Sequence, residues 1–250
     1  MIGTLLERID SFRAMRVRHA SRYWEAMADL PPTLYPYWKR SAQFEFKGIP
    51  RDAFFFARAA DGLLTFFDCI RHSDRPCGLP SMAADSVWHA WLRLAPATLD
   101  AFCLKHFGRV FPHVESAHMA VPMQEALANC LVQARALEFL PGAGASVPRL
   151  FGLDLKLGMP CGFGYTVAGR KLACRRLDHA GRPAGEIFYP DHFAPPALLA
   201  AGLISQAQYD DYVDRDRTGA GGGGGCGSGA SGSGCDGGGG DGCGGGCGGD

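Results

Sequence analysis

The sequence has no excess of one charge. Its 25 basic residues balance 25 acidic residues, and the three aspartates of residues 219–250 leave a charge of +3 on the rest of the chain. Nucleic-acid-binding domains carry a much stronger basic patch. We therefore expect no nucleic-acid partner.

The sequence also lacks a long uninterrupted apolar run, and we expect no secretory signal. Arg58, Asp61 and Asp68 interrupt the most apolar segment, residues 53–70, which predicts a buried helix and not a membrane span. Residues 1–20 mix acids and bases without a continuous apolar stretch. We expect a cytoplasmic protein with no membrane partner, whose cysteines outside the C-terminal segment are thiols.

The C-terminal segment, residues 219–250, has almost no apolar side chains. It holds 20 of the 35 glycines and four of the ten cysteines. Such a composition cannot build a core and predicts a disordered tail. Three roles stay open for the tail: a plain appendage with free thiols, a chelating or cross-linking segment, and a recognition tag.

The rest of the chain predicts a mainly α fold. Helical spacing or helix boundaries are visible over residues 2–27, 52–70, 82–94, 97–107 and 123–139. After Pro148 the texture changes: "KLACRRL" and "EIFYP" read as two strands joined by the turn "HAGRP".

Three regions follow from this pattern. We predict a helical domain over residues 1–147, a small β-hairpin appendage with a C-terminal helix over residues 148–218, and the disordered Gly/Cys-rich tail over residues 219–250.

Polar residues concentrate on two adjacent predicted helices. On the helix over residues 82–94, one apolar stripe also carries an aspartate and a histidine, and consists of Asp85, Trp88, His89 and Leu92. On the helix over residues 97–107, the matching stripe consists of Leu99, Phe102, Cys103 and His106. A connection this short predicts antiparallel neighbours.

This arrangement predicts that several polar side chains converge. We expect His89 to lie near Cys103 and Asp85 near His106, with His113 following shortly after the second helix. Buried polar groups without partners cost about 1–3 kcal/mol each, so these side chains need partners. Three interpretations compete.

The first interpretation is structural. Asp85 accepts a hydrogen bond from His89 or pairs with His106, and this contact fixes the helix register. Cys103 is then a small buried apolar residue.

The second interpretation is a metal site, with zinc as the candidate ion. His89, Cys103 and His113 are the ligands, and Asp85 is a fourth ligand or orients His89. The spacing of these residues matches no strong zinc signature.

The third interpretation is catalytic. Cys103 is the nucleophile, His89 the base and Asp85 the group that orients the base. The segment "AFCLKHFG" reads as a packed helix, whereas a nucleophile needs an exposed, electropositive setting.

The stretch "PSMAADSVWHAWL…FCLKHFGRVFPH" resembles the glycine-rich domain-containing protein family. The matching positions are Asp85, Trp88, His89, Cys103, Gly108 and His113, whereas His106 is outside the pattern and Leu99 stands where a tyrosine is common. The Gly/Cys tail is also similar. The resemblance supports the helical domain and implies no established reaction.

Together these features favour a non-enzymatic cytoplasmic interaction or metal-handling module with an unknown protein partner. The alternative is an enzyme that uses the same His/Cys/Asp pocket, by metal-assisted hydrolysis or through a cysteine nucleophile.

Overall fold

The computed structural model describes residues 2–114, 119–168 and 170–218, which are mainly helical. Their α-helices are α1 Ile2–Ala20, α2 Trp24–Ala28, α3 Leu34–Ser41, α4 Ala53–Arg71, α5 Met82–Leu94, α6 Pro96–Phe107, α7 Met123–Leu137, α8 Leu153–Leu157, α9 Pro195–Ala200 and α10 Gln206–Thr218. Short 3-10 helices lie at Ala42–Phe44 and Asp191–Phe193. The predicted disordered tail lies outside the described residues.

A three-stranded antiparallel sheet follows α8. Its strands β1 Phe163–Ala168, β2 Lys171–Leu177 and β3 Pro183–Phe188 pair in the order β1-β2-β3. The predicted hairpin corresponds to β2 and β3. The prediction of a mainly helical fold with a small β element is confirmed. Sequence reasoning missed β1, because its glycine and the glycines just before it mask the alternation of "FGYTVA".

Helix α4 lies at the centre of the core. It packs against α1, α5 and α7. Asp52 caps its N-terminus, since Oδ1 of Asp52 accepts a hydrogen bond of 2.8 Å from the Phe55 backbone N–H. No helix within the described ranges is both long and apolar enough to cross a membrane.

The boundary placed at residue 147 stays a prediction. Buried residues on both sides of it belong to one hydrophobic core, including Trp38 and Trp91 before it and Phe151, Tyr165 and Phe193 after it.

A buried carboxylate fixes the N-terminus of α5. Asp154, in α8, accepts hydrogen bonds from the Ser81 hydroxyl at 2.6 Å and from the backbone N–H groups of Met82 and Ala83, each at 3.0 Å. The Phe163 N–H adds a fourth at 3.1 Å. Burial raises the pKa of Asp154, while these donors lower it. The carboxylate therefore joins α5 to α8 and to the start of the sheet.

Candidate metal centre

Helix α5 is rotated about its own axis relative to the prediction, by about the 100° that separates two successive residues. Its fully buried stripe contains Val87 and Trp91, together with Trp88. Asp85 and His89 lie at the edge of this stripe, with side chains 31% and 22% exposed. The prediction that both face the core was wrong, because Trp91 provides more apolar surface than His89 and occupies the central position.

The same rotation changes which residues of α5 contact helix α6. Trp91, and not His89, packs on Phe102, with ring centroids 4.7 Å apart. His106 does not reach Asp85: its Nε2 lies 2.9 Å from Oδ2 of Asp29. The expected contact between Asp85 and His106 was therefore wrong.

Three of the four proposed ligands converge. Nε2 of His89 lies 3.0 Å from Nε2 of His113, and Oδ1 of Asp85 lies 3.5 Å and 3.4 Å from these two atoms. Within the described ranges, Asp85, His89 and His113 are the one group of three such residues with ligand atoms close enough to hold a metal ion. Two histidines and one carboxylate are a common ligand set for zinc and for non-haem iron(II).

The spacing of the three atoms suits a common ion. Ligand atoms about 2.1 Å from one ion are about 3.0 Å apart in octahedral geometry and about 3.4 Å apart in tetrahedral geometry. The observed separations of 3.0, 3.4 and 3.5 Å lie at or close to these values. All three ligand atoms lie on one side of such an ion, so its remaining positions stay open.

The chain brings His113 back to α5 by a tight turn. Gly108 ends α6 in the left-handed region, with φ of 76°. Phe111 is then buried and stacks on Phe67, with ring centroids 5.2 Å apart. The His113 ring meets the edge of Trp88 at 4.6 Å. Packing thus fixes the ring of one ligand.

A carboxylate outside the group orients the other histidine. Glu45 accepts a hydrogen bond of 2.6 Å from Nδ1–H of His89, and its second oxygen pairs with Arg93 at 2.7 Å. In a neutral imidazole this hydrogen bond leaves the lone pair on Nε2, which faces His113 and Asp85. Carboxylate–histidine pairs of this kind support metal sites. Sequence reasoning missed Glu45, since nothing in its local pattern relates it to His89.

Asp85, His89 and His113 line a cavity of about 870 Å³. Its apolar lining includes Phe66, Ile70, Leu79 and Phe111, and Arg109 contributes a charge. A ligand set that opens on a cavity of this size is typical of sites that keep coordination positions for a substrate.

Cys103 is not part of the group. Its side chain is buried in the core and does not line the cavity. Burial, and then the charge of Asp100, raise the pKa of Cys103 to about 12. The stripe of α6 that carries Cys103 faces the core, so the structure gives this thiol neither the access nor the electropositive setting of a nucleophile.

A different cysteine faces the cavity. Cys77 is half-buried in the loop before α5 and lines the cavity wall. Its hydrogen bonds with Cys130 and Ser73 and the charge of Arg109 lower its pKa below the ordinary value, against the effect of burial. Asn129 donates a hydrogen bond of 3.4 Å to its sulfur. The sequence offered no signal that separates Cys77 from the other thiols.

The protein is thus mainly helical, and two histidines and one carboxylate converge at the wall of a cavity. A family model described as UCP032817-like matches residues 55–187, more than half of the chain. The chain therefore belongs to the UCP032817-like family. The matched range includes Asp85, His89 and His113, and it begins after Glu45. No curated protein and no solved structure matches the chain.

Proposed function

We propose that the chain binds one divalent transition-metal ion, with zinc as the first candidate, through Asp85, His89 and His113. The observation that supports this most is the mutual distance of the three ligand atoms, from 3.0 to 3.5 Å, in a setting where Glu45 orients His89. Cys103 is left out of the ligand set. The chain is thus a metal-handling module with a cavity over the ion.

The structural interpretation explains the same residues less well. A hydrogen bond that locks the helix register needs good geometry, yet Oδ1 of Asp85 lies 3.5 Å from Nε2 of His89. Both side chains are also partly exposed, so neither needs an internal partner to avoid a desolvation penalty. A cation between the three atoms explains why they face one another.

The likeness to glycine-rich domain-containing proteins fits the same proposal. Of the matching positions, three are the proposed ligands, and two support His113, since Trp88 packs on its ring and Gly108 turns the chain towards it. The motif would then encode a metal site and its support. A reducing, cytoplasmic setting accords with the free thiols of Cys69, Cys77, Cys103 and Cys130.

The cavity favours a second candidate, metal-assisted hydrolysis. An ion with three protein ligands activates a bound water, and about 870 Å³ of cavity leaves room for a substrate beside it. Zinc-loaded chain should then hydrolyse p-nitrophenyl acetate faster than the His89→Ala variant does. Equal rates in the two samples contradict this candidate.

Elemental mass spectrometry tests the metal proposal. Wild type, His89→Ala and His106→Ala are purified after exposure to zinc and iron(II) and then dialysed. His106→Ala is the matched control, because His106 is half-buried on the next helix and contacts Asp29 instead of the group. We expect about one equivalent of metal in wild type and control and its loss in His89→Ala. Equal metal in all three contradicts the proposal.

A further inference from the structure

We propose that the cavity binds a small organic monocarboxylate, whose carboxylate reaches the metal ion and accepts a hydrogen bond from the indole N–H of Trp88. This inference rests on the proposed metal site and names the class of ligand that fills its open positions.

The indole N–H of Trp88 is the first observation. Trp88 is 5% exposed and lines the cavity, and its Nε1 has no hydrogen-bond partner among the described residues. An indole N–H only donates, so the partner that it lacks is an acceptor. A buried donor without an acceptor destabilises the folded state. Nε1 is itself buried, so a ligand oxygen satisfies it where the edge of the Trp88 ring turns towards the cavity.

The position of this donor is the second observation. The Trp88 ring meets the ring of His113 at 4.6 Å, and His113 is a proposed metal ligand. The ring that carries the donor therefore lies beside the proposed metal site. A carboxylate has two oxygens on one carbon, so one binds the ion and the other accepts from Trp88.

The charges around the cavity indicate whether its ligand is an anion or a cation. The ionised side chains that line the cavity are Asp74, Arg75, Asp85 and Arg109, which cancel. The divalent ion then leaves two formal positive charges, which favour an anion. No carboxylate of the described residues pairs with Arg109, whose guanidinium lies against Phe111 instead, 5.6 Å from the ring centroid.

The apolar walls of the cavity indicate the chemistry of the rest of the ligand. Phe66, Ile70, Leu79 and Phe111 contribute apolar walls to the same cavity. A phosphate dianion needs several donors around it, whereas this lining suits an apolar chain. The ligand class is thus a carboxylate with an apolar body, and hexanoate is the simplest probe.

Isothermal titration of the zinc-loaded full chain tests the proposal. The probes are hexanoate, acetate, 1-hexanol and inorganic phosphate, and the proteins are wild type, Trp88→Phe, Arg109→Gln and Trp24→Phe. Trp88→Phe keeps a buried ring and removes the donor. Trp24→Phe is the matched control, because Trp24 is 58% exposed and does not line this cavity. Metal content and melting temperature are measured on the same samples.

We expect hexanoate to bind at least about 10-fold more tightly than acetate, because each buried methylene contributes. Trp88→Phe should weaken hexanoate at least about 10-fold with its zinc retained. Arg109→Gln should weaken it by about 3-fold, since that charge is exposed. Trp24→Phe should bind as wild type does.

Three results overturn the ligand proposal while the zinc content leaves the metal site intact: 1-hexanol binding as well as hexanoate, phosphate binding more tightly than hexanoate, or unchanged binding in Trp88→Phe. Folded wild type that takes up no zinc overturns the metal site and the ligand proposal together.

Discussion

Nε2 of His89 and Nε2 of His113 face each other at 3.0 Å across the edge of the cavity. Helix α5 supplies one of these nitrogens, and the segment after α6 supplies the other. Because Glu45 accepts from Nδ1–H of His89, the neutral ring presents a lone pair to His113 and not a proton. Two imidazole nitrogens and the Asp85 oxygen thus converge where a cation satisfies all three.

The contact between Glu45 and His89 gives the first prediction. Glu45→Ala should lower zinc affinity by about 10- to 100-fold without changing the stoichiometry, because His89 loses the group that orients it. Glu45→Gln keeps an acceptor oxygen and should fall between wild type and Glu45→Ala. Competition with a chromophoric chelator measures both affinities.

Glu7→Ala is the control for this series, since Glu7 is an exposed residue of α1. Wild-type affinity in Glu45→Ala, or loss of affinity in Glu7→Ala as well, contradicts the role given to Glu45.

Metal removal gives the second prediction. An ion at about 100 times its dissociation constant stabilises the folded state by about 2.7 kcal/mol. For a chain of this size, that corresponds to a fall in Tm of about 5–10 °C when a chelator strips the ion. The His113→Ala variant should melt at one temperature with and without chelator. A chelator effect of equal size in both proteins places the stabilising ion elsewhere.

Cys103 gives the third prediction. Cys103→Ala should keep one equivalent of zinc, with its affinity changed by less than about 2-fold, because the buried thiol lies outside the ligand group. The lost sulfur should cost about 1 kcal/mol of unfolding free energy. Urea unfolding and metal titration measure the two effects separately. A variant that folds and no longer binds zinc would restore Cys103 to the ligand set.

Asp154 gives the fourth prediction. Asp154→Ala leaves the Ser81 hydroxyl and three backbone N–H groups of α5 and β1 without their acceptor, and it should destabilise the fold by at least about 3 kcal/mol. Asp191→Ala, at an exposed position, should change stability by less than about 0.5 kcal/mol. Denaturant unfolding compares the two variants. Similar midpoints for both would show that Asp154 does not anchor α5.

Local signals in the sequence predicted the elements that carry the site. Pro96 separates α5 from α6, and Gly108 ends α6, because proline and glycine act on the backbone wherever they stand. Periodicity alone did not give the rotation of α5. The spacing predicts Asp85 and His89 on the buried stripe, but Trp91 occupies that position, since the larger apolar side chain gains more by burial.

The partners of the site were harder to predict. Glu45 contacts His89 across 44 positions of sequence, and Trp88 reaches His113 only because Phe111 anchors the intervening segment. Contacts of this kind depend on how helices pack, and a single sequence carries no pattern for them. The two helices could thus be predicted, whereas the convergence of Asp85, and not of Cys103, with the two histidines required the fold.

X-ray absorption at the zinc edge of the zinc-loaded full chain measures the ion's neighbours directly. We predict nitrogen and oxygen neighbours at about 2.0–2.1 Å, including two imidazoles, and no sulfur neighbour. The two-imidazole signal should disappear in His89→Ala. A sulfur shell at about 2.3 Å in the wild type would contradict the assignment to Asp85, His89 and His113 and would place the ion on cysteine thiolates instead.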